Sequence, residues 1–291
     1  MAIDYPAALA LTETGLQYSY SERDAMLYAV AIGMGAEPSR YARELPFIYE
    51  REHRTVPTFA SVIAWGAGVS VAKLGLDPRG VLHGEEETLF HRPLPPSGGV
   101  LADSSVVEIF DRGKDRGAIV LRQTVLRDAE DGQLVATLKR TLFARRNGGE
   151  GGAAGDPPRP HPVPERAPDA TLIFATAPNQ AALYRLCGDR TALHVDPVAA
   201  AAAGFERPIL HGLCTYGLCC RAVLEAFCDF DPTRIRSHTV RFSAPVFPGD
   251  VLQVDLWRDG EVVAFQASVP ARGILVIKNG RALTEAGRPV N

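Results

Sequence analysis

No run in this sequence approaches the eighteen apolar residues of a membrane span. The first residues, MAIDYPAALALTETG, also lack the basic flank and long apolar stretch of a secretory leader. Neither a bilayer-spanning helix nor export is therefore expected. An excess of positive charge is missing too: 31 Lys and Arg stand against 34 Asp and Glu, for a net charge of −3. That leaves no global field to draw in nucleic acid or an anionic membrane surface, so any phosphate-bearing ligand must meet a local cation cluster. The five cysteines, Cys187, Cys214, Cys219, Cys220 and Cys228, form no CxxC pair, and ligand spacing argues against a metal site built from them with His211. An odd number of thiols in apolar surroundings fits reduced, packed side chains. The C-terminal GRPVN matches no peroxisomal or ER-retention address, and a cytoplasmic protein is expected.

What is present is an ordinary core composition, 46% apolar and 22% charged over 291 residues, enough for one large or two medium units. Residues 147–168, NGGEGGAAGDPPRPHPVPERAP, hold a glycine cluster and then a proline cluster with almost no large apolar side chain. Such a segment cannot bury enough surface to offset its ordering cost. It reads as a linker, dividing the chain into units 1–146 and 169–291.

Each unit shows the same succession. In the first, Ser21 and Asp24 predict a capping box opening a helix, the apolar stretch 60–75 predicts a second, largely buried helix, and 81–146 alternates like antiparallel strands between the turn signals SGG, DRGKDRG and DAEDGQ. In the second, a short helix is expected over 179–186, a long apolar helix from about Gly212 to Phe227, and strands over 236–282. Phe90, Pro93 and Pro96 recur at the same offsets as Phe242, Pro245 and Pro248, each set followed by glycine. Duplication of one helix-plus-sheet unit, α+β in class, is the economical architecture.

Chemistry concentrates in Tyr184 to Gly212, YRLCGDRTALHVDPVAAAAAGFERPILHG. Asp189 and His194 stand five residues apart in an otherwise apolar segment, where burial would shift their proton affinity. Taken singly, Asp189 reads as a turn cap after Gly188 and His194 as a satisfied structural histidine. Asp196 before Pro197 reads as the start of a helix over the alanine run.

The motif GDRTALHVDP followed by PILHGLCTYG resembles the hydratase motif of the MaoC-like, type-2 (R)-specific enoyl-CoA hydratases, whose pattern runs GDxNPLHxDP and then HGLC. The first unit, with YSYSERDAMLYAVAIG, ELPFIYE, VPTF and VLHGEEETLFHRPLPPSG, is similar to the non-catalytic first repeat of the eukaryotic-type members. The resemblance implies a double hotdog fold, with two antiparallel sheets each wrapped on a central helix. It implies hydration of a trans-2-enoyl-CoA to the (3R)-hydroxyacyl-CoA, or the reverse dehydration. It casts Asp189 and His194 as the pair holding one water, His194 as base, and the Gly212 N–H as oxyanion donor.

The expected substrate-binding set is Thr191, Tyr184, Arg207, Lys278, Asn279 and Gly280: Thr191 and Lys278–Gly280 fall at family positions, Tyr184 reads as acyl-pocket lining or core, and Arg207 as a local cation for phosphate; no metal is expected, and the resemblance implies no cofactor beyond the CoA thioester substrate and a homodimer. Thr191 and Ala192 depart from the family's Asn and Pro. Thr offers fewer hydrogen bonds than Asn, which implies altered positioning of water or thioester. Met34 follows Gly33 where Asp189 follows Gly188, and no His stands at the offset of His194, so the first repeat reads as catalytically empty, its apolar stretch leaving room for an acyl tail. Two other classes remain open: a hotdog acyl-CoA thioesterase, and a non-catalytic acyl-CoA-binding subunit.

Overall fold

The computed structural model describes residues 3–149, 151–153 and 156–285. Glu150, Ala154 and Gly155 of the linker and the C-terminal GRPVN lie outside the described residues. Ten strands are present: β1 (Thr12–Tyr20), β2 (Val81–Phe90), β3 (Gly98–Asp111), β4 (Ala118–Asp128), β5 (Leu134–Ala144), β6 (Ala170–Ala175), β7 (Ile235–Phe242), β8 (Val251–Asp259), β9 (Val262–Val269) and β10 (Ile274–Thr284). Seven α-helices accompany them: α1 (Tyr5–Leu9), α2 (Glu22–Ala31), α3 (Tyr41–Ile48), α4 (Ala60–Ile63), α5 (Gln180–Tyr184), α6 (Pro197–Ala202) and α7 (Gly212–Phe227).

The strands form one antiparallel sheet in the order β1-β3-β4-β5-β2-β7-β10-β9-β8-β6. That order reads the same from either end once each strand of the first half is matched to its repeat in the second. The two sheets expected from the repeat are thus two five-stranded halves joined edge to edge through β2 and β7, which leaves neither central strand with an open edge. The join carries an internal symmetry. Glu87 pairs with Thr239, which lies as far along the chain from Glu87 as Phe242 does from Phe90. Glu87 therefore meets its own repeat partner, and a pseudo-two-fold axis passes between them.

The sheet wraps α7, whose first four turns are apolar on nearly every face and are buried from Leu213 to Leu224. A helix hydrophobic all round belongs inside a core, and each large side chain buried there contributes about 1.5–3 kcal/mol. On the other side of the axis the expected helix over 60–75 is far shorter. It is confined to a 3-10 turn at Pro57–Phe59 and α4 at Ala60–Ile63, and the chain then proceeds in turns. Gly66 and Gly68 adopt φ of 95° and 126°, a conformation that interrupts a right-handed helix and suits glycine alone. Apolar composition without helical spacing did not reveal the break.

Four elements carried no sequence signal strong enough to predict: α1, β1, β6 and α3, the last with Pro46 inside it. Tertiary contacts explain α3. Its Glu44 is fully buried and accepts from Arg221 Nε of α7 at 2.5 Å and from Gly35 N at 2.8 Å. The predicted capping box is present, with Ser21 N donating to Asp24 at 2.9 Å ahead of α2. The linker is tied down at several points: Gly151 N donates to Asp111, Asn279 Nδ2 to the His161 carbonyl, and Trp257 Nε1 to the Arg166 carbonyl.

Candidate active site

The loop between α5 and α7 carries the site. Gly188 has φ of 143°, and a Cβ there would lie 2.8 Å from Cβ of Trp65 in the first half. Glycine thus lets the loop pass against the opposite repeat and turns the chain into Asp189. One carboxylate oxygen of Asp189 is occupied locally: Oδ1 accepts from Thr191 N at 3.0 Å and from Thr191 Oγ1 at 2.6 Å, an Asx turn. The other oxygen, Oδ2, lies 3.8 Å from His194 Nε2. That is too long for a direct hydrogen bond, and such a gap is one a bridging water can span.

His194 sits at the end of a 3-10 turn, Ala192–His194. Its Nδ1 is 2.8 Å from the Ile209 carbonyl oxygen. A carbonyl only accepts, so Nδ1 carries the proton and Nε2 keeps its lone pair toward Asp189. Burial holds the His194 imidazole below its ordinary value of 6.5, against the opposing pull of the Ile209 hydrogen bond and Asp189. His194 is therefore neutral near pH 7.

His211, immediately before α7, was not among the expected site residues, and the structure puts it at the centre. Its ring stacks on His194 with centroids 3.7 Å apart and an interplanar angle of 24°. Its Nε2 donates to the Asp189 carbonyl at 3.1 Å. Burial, followed by the neighbouring His194, lowers it to about 4, so it too is neutral. The sequence signal was its adjacency to Gly212; stacking on His194 requires the intervening loop to fold back.

Asp189, His194 and His211 form a group whose donor atoms all lie within 4.8 Å of one another and which could hold a metal ion. The stacking opposes this. Imidazole binds a metal in its ring plane at about 2.0–2.1 Å, and two rings facing one another with a small tilt keep those planes apart near the nitrogens.

Gly212 is the first residue of α7 and is exposed, whereas His211 and Leu213 on either side are buried. Its amide is among the first-turn N–H groups that have no acceptor within the helix, and the helix dipole favours negative charge there. The His211–His194 stack brings this helix start beside the Asp189–His194 pair. Asp196 accepts from Val198 N at 2.8 Å and caps α6, as its position before Pro197 suggested.

The remaining expected residues are spread around this centre. Tyr184 is fully buried, 4.9 Å from the His211 ring and 6.0 Å from Tyr28, so it packs behind the histidine pair. Thr191 is exposed, its hydroxyl committed to Asp189. Arg207 is exposed and lies over the Phe247 ring at 4.6 Å. Lys278, Asn279 and Gly280 occupy a bulge in β10 where the register with β7 shifts. Lys278 is exposed, Asn279 has φ of 54° and holds the linker, and Gly280 is buried against Phe265. No contact among the described residues brings these three against Asp189 or His194.

A curved sheet wrapped on a buried helix, repeated about a pseudo-two-fold with one polar pair at the helix start, is the double hotdog architecture. Residues 160–279 match the family described as MaoC like domain, and residues 18–146 match the MFE-2 hydratase 2 N-terminal domain. The chain is 38% identical to the enoyl-CoA hydratase ChsH3 of Mycobacterium tuberculosis, an alignment covering 98% of this chain and 100% of that protein. The crystal structure of a MaoC-like dehydratase from Phytophthora capsici superposes with a TM-score of 0.86 at 34% identity, covering 97% of this chain and 99% of that one. A Mycobacterium tuberculosis protein described as a double hotdog aligns with a TM-score of 0.55 at 16% identity over 94% of both chains, a likeness of fold alone. The chain belongs to the MaoC-like dehydratase family, in the group whose first repeat is the hydratase 2 N-terminal domain.

Proposed function

We propose that this protein is a hydro-lyase that adds water to a trans-2-enoyl-CoA to give the (3R)-3-hydroxyacyl-CoA, or runs the reverse dehydration, with no cofactor beyond the thioester itself. The observation that carries the assignment of roles is the tautomer of His194. Its Nδ1–H is spent on the Ile209 carbonyl, and its free Nε2 faces Asp189 Oδ2 across 3.8 Å. A water held between them loses a proton to Nε2 as its oxygen bonds to C3 of the substrate. The C2–C3 π pair moves toward the thioester, and the developing enolate oxygen is met by the Gly212 N–H at the start of α7. The proton taken from water returns through the pair to C2 on the same face, delivered by Asp189, so both residues end as they began. One water is consumed and no other reagent is needed.

A thioesterase reading has no use for a histidine prepared in this way, and a binding-only subunit has no use for the paired geometry. The mycobacterial relative ChsH3 is named an enoyl-CoA hydratase, which supports the same reaction class. The bulge Lys278–Gly280, with Arg207, is the candidate for the nucleotide end of CoA. The first repeat is the candidate for the acyl tail. A void near Ala60, Ala64, Ala67 and Leu138 measures about 10 Å³, room for a water and no more. A homodimer and a cytoplasmic site complete the proposal; among the described residues no helix is long and apolar enough to cross a membrane.

The test follows loss of the conjugated thioester absorbance of crotonyl-CoA and a longer trans-2-enoyl-CoA, with chiral analysis of product. Wild type is expected to form the (3R) product, and Asp189→Ala and His194→Ala each to lose about 10²–10⁴-fold in kcat while folding normally. Turnover surviving both substitutions would place the chemistry elsewhere. CoA release without hydration would identify a thioesterase.

A further inference from the structure

The second repeat supplies Asp189, His194 and Gly212, yet a side chain of the first repeat also stands at that helix start. His83 lies near the beginning of β2, and the antiparallel join brings it beside Phe242 at the end of β7. The two rings meet edge to face, with centroids 5.0 Å apart and an interplanar angle of 61°. Phe242 in turn packs on Gly212: a Cβ there would lie 3.1 Å from its Cε1. The Phe242 ring therefore stands between His83 and the first residue of α7.

A backbone irregularity aims His83 this way. Glu86 and Thr88 are buried on the face of β2 that meets α7, where Tyr216 Oη donates to Thr88 Oγ1 at 2.8 Å. Residues three apart on a regular strand face opposite sides. The register of β2 with β5 shifts between His83 and Glu85, and such a bulge re-aims a side chain. His83 thus shares a face with Glu86.

The imidazole is then fixed at one end. Its Nε2 lies 3.0 Å from Glu86 Oε2 and 3.1 Å from the Glu85 carbonyl oxygen. Burial alone would raise the Glu86 carboxyl, and Arg140 with His83 holds it below its ordinary value instead. Both partners of Nε2 accept, so Nε2 carries the proton. Glu86 is fully buried and also accepts from Arg140 Nε at 2.9 Å. Arg140 donates to the Ser61 carbonyl at 2.8 Å and lies over the Trp65 ring at 5.6 Å, and Trp65 is the side chain against which Gly188 packs. One buried carboxylate thereby braces first-repeat side chains toward both glycines of the site.

Gly212 needs such bracing. Its N–H has no acceptor within the helix, it is exposed, and with no side chain of its own it is the most freely rotating residue at that position. We infer that His83 is a positioning residue contributed by the first repeat: it holds the Phe242 ring against Gly212 and so fixes where the α7 amide meets the thioester oxygen. The role rests on the hydratase reading above.

Two substitutions separate this role from a purely structural one. His83→Gln keeps an N–H for Glu86 and gives up the ring; His83→Phe keeps a ring for Phe242 and gives up the N–H. Misplacing an oxyanion donor costs rate and little ground-state binding, so His83→Gln is expected to lower kcat for crotonyl-CoA about ten- to a hundredfold. Its urea midpoint should stay near that of wild type. His83→Phe should keep kcat within about threefold while its urea midpoint falls, and both should bind butyryl-CoA, which has no double bond to hydrate, within about twofold of wild type by calorimetry. The kcat losses of His83→Gln and Phe242→Leu should not multiply in the double variant, because both act through one ring contact. Undiminished kcat in His83→Gln, kcat that follows the urea midpoint across the two variants, an equal loss of kcat and butyryl-CoA affinity, or multiplying losses would each overturn the role and leave the hydratase reading standing. A wild type that hydrates no enoyl-CoA overturns that reading and this role with it.

Discussion

At the scale of single residues, burial does most of the chemical preparation. It lowers His194 below 6.5, and the neutral form is the one proposed to act as base. The acidic limb of kcat/KM is therefore expected below pH 6.5, with activity flat down through that value and lost only as pH falls further; a pH profile with crotonyl-CoA reads this directly. A limb at or above 6.5 would mean that Asp189 outweighs burial. Thr191 is legible as a departure from the family pattern, yet its role is not, because that depends on a turn only two residues long. Its hydroxyl and amide fasten one oxygen of Asp189 and leave the other to face His194. Thr191→Ala removes one of two anchors to a carboxylate, and a hydrogen bond to a charged group contributes about 1.5–3 kcal/mol. About a tenfold loss in kcat with KM nearly unchanged is expected, restored by Thr191→Ser, in steady-state kinetics.

Among elements, α7 shows how far pattern reading reaches. Its length and start were legible because a long apolar run ends at a glycine and a histidine. What anchors it was not. Arg221, 2% exposed, is held by Glu44 of α3 at 2.5 Å, and α3 itself contains Pro46 and is stabilised by this contact. Replacing one member of a buried pair leaves the other uncompensated, which costs about 3–5 kcal/mol. Arg221→Met is expected to lower stability in urea by that amount, and Arg221→Met with Glu44→Leu to recover much of it. The stretch 60–75 teaches the converse. Its composition promised a helix, but the chain leaves helical geometry at Ala64 after one turn and Gly66 and Gly68 then take positive φ, because an apolar count carries no information about backbone sign.

Over the whole molecule, the join between β2 and β7 makes one sheet from two repeats and buries ionisable groups beneath it. His238 of β7 is fully buried, held to about 3 by burial, with Nε2 donating to the Tyr216 carbonyl at 3.2 Å. His211 is held to about 4. Both folded values lie below the unfolded one, so between these values and 6.5 the unfolded chain binds more protons, and stability falls as pH drops through that window. Each histidine contributes a slope of about 1.4 kcal/mol per pH unit. Urea midpoints at pH 7.5, 6.5, 5.5 and 4.5 are expected to be level between the first two and to decline below; His238→Phe should make the decline shallower.

The sequence by itself determined the duplication, the α+β class and the Asp189–His194 spacing, since these depend on offsets and side-chain types that survive in one dimension. Only the tertiary structure decided that the two sheets are one, that His211 stacks on His194, that Trp65 of the first repeat closes on Gly188, and that His83 of the first repeat meets Phe242 beside Gly212. Each of these arises from surfaces far apart in the chain meeting across the pseudo-two-fold, where packing and burial, and no local preference, choose the partners.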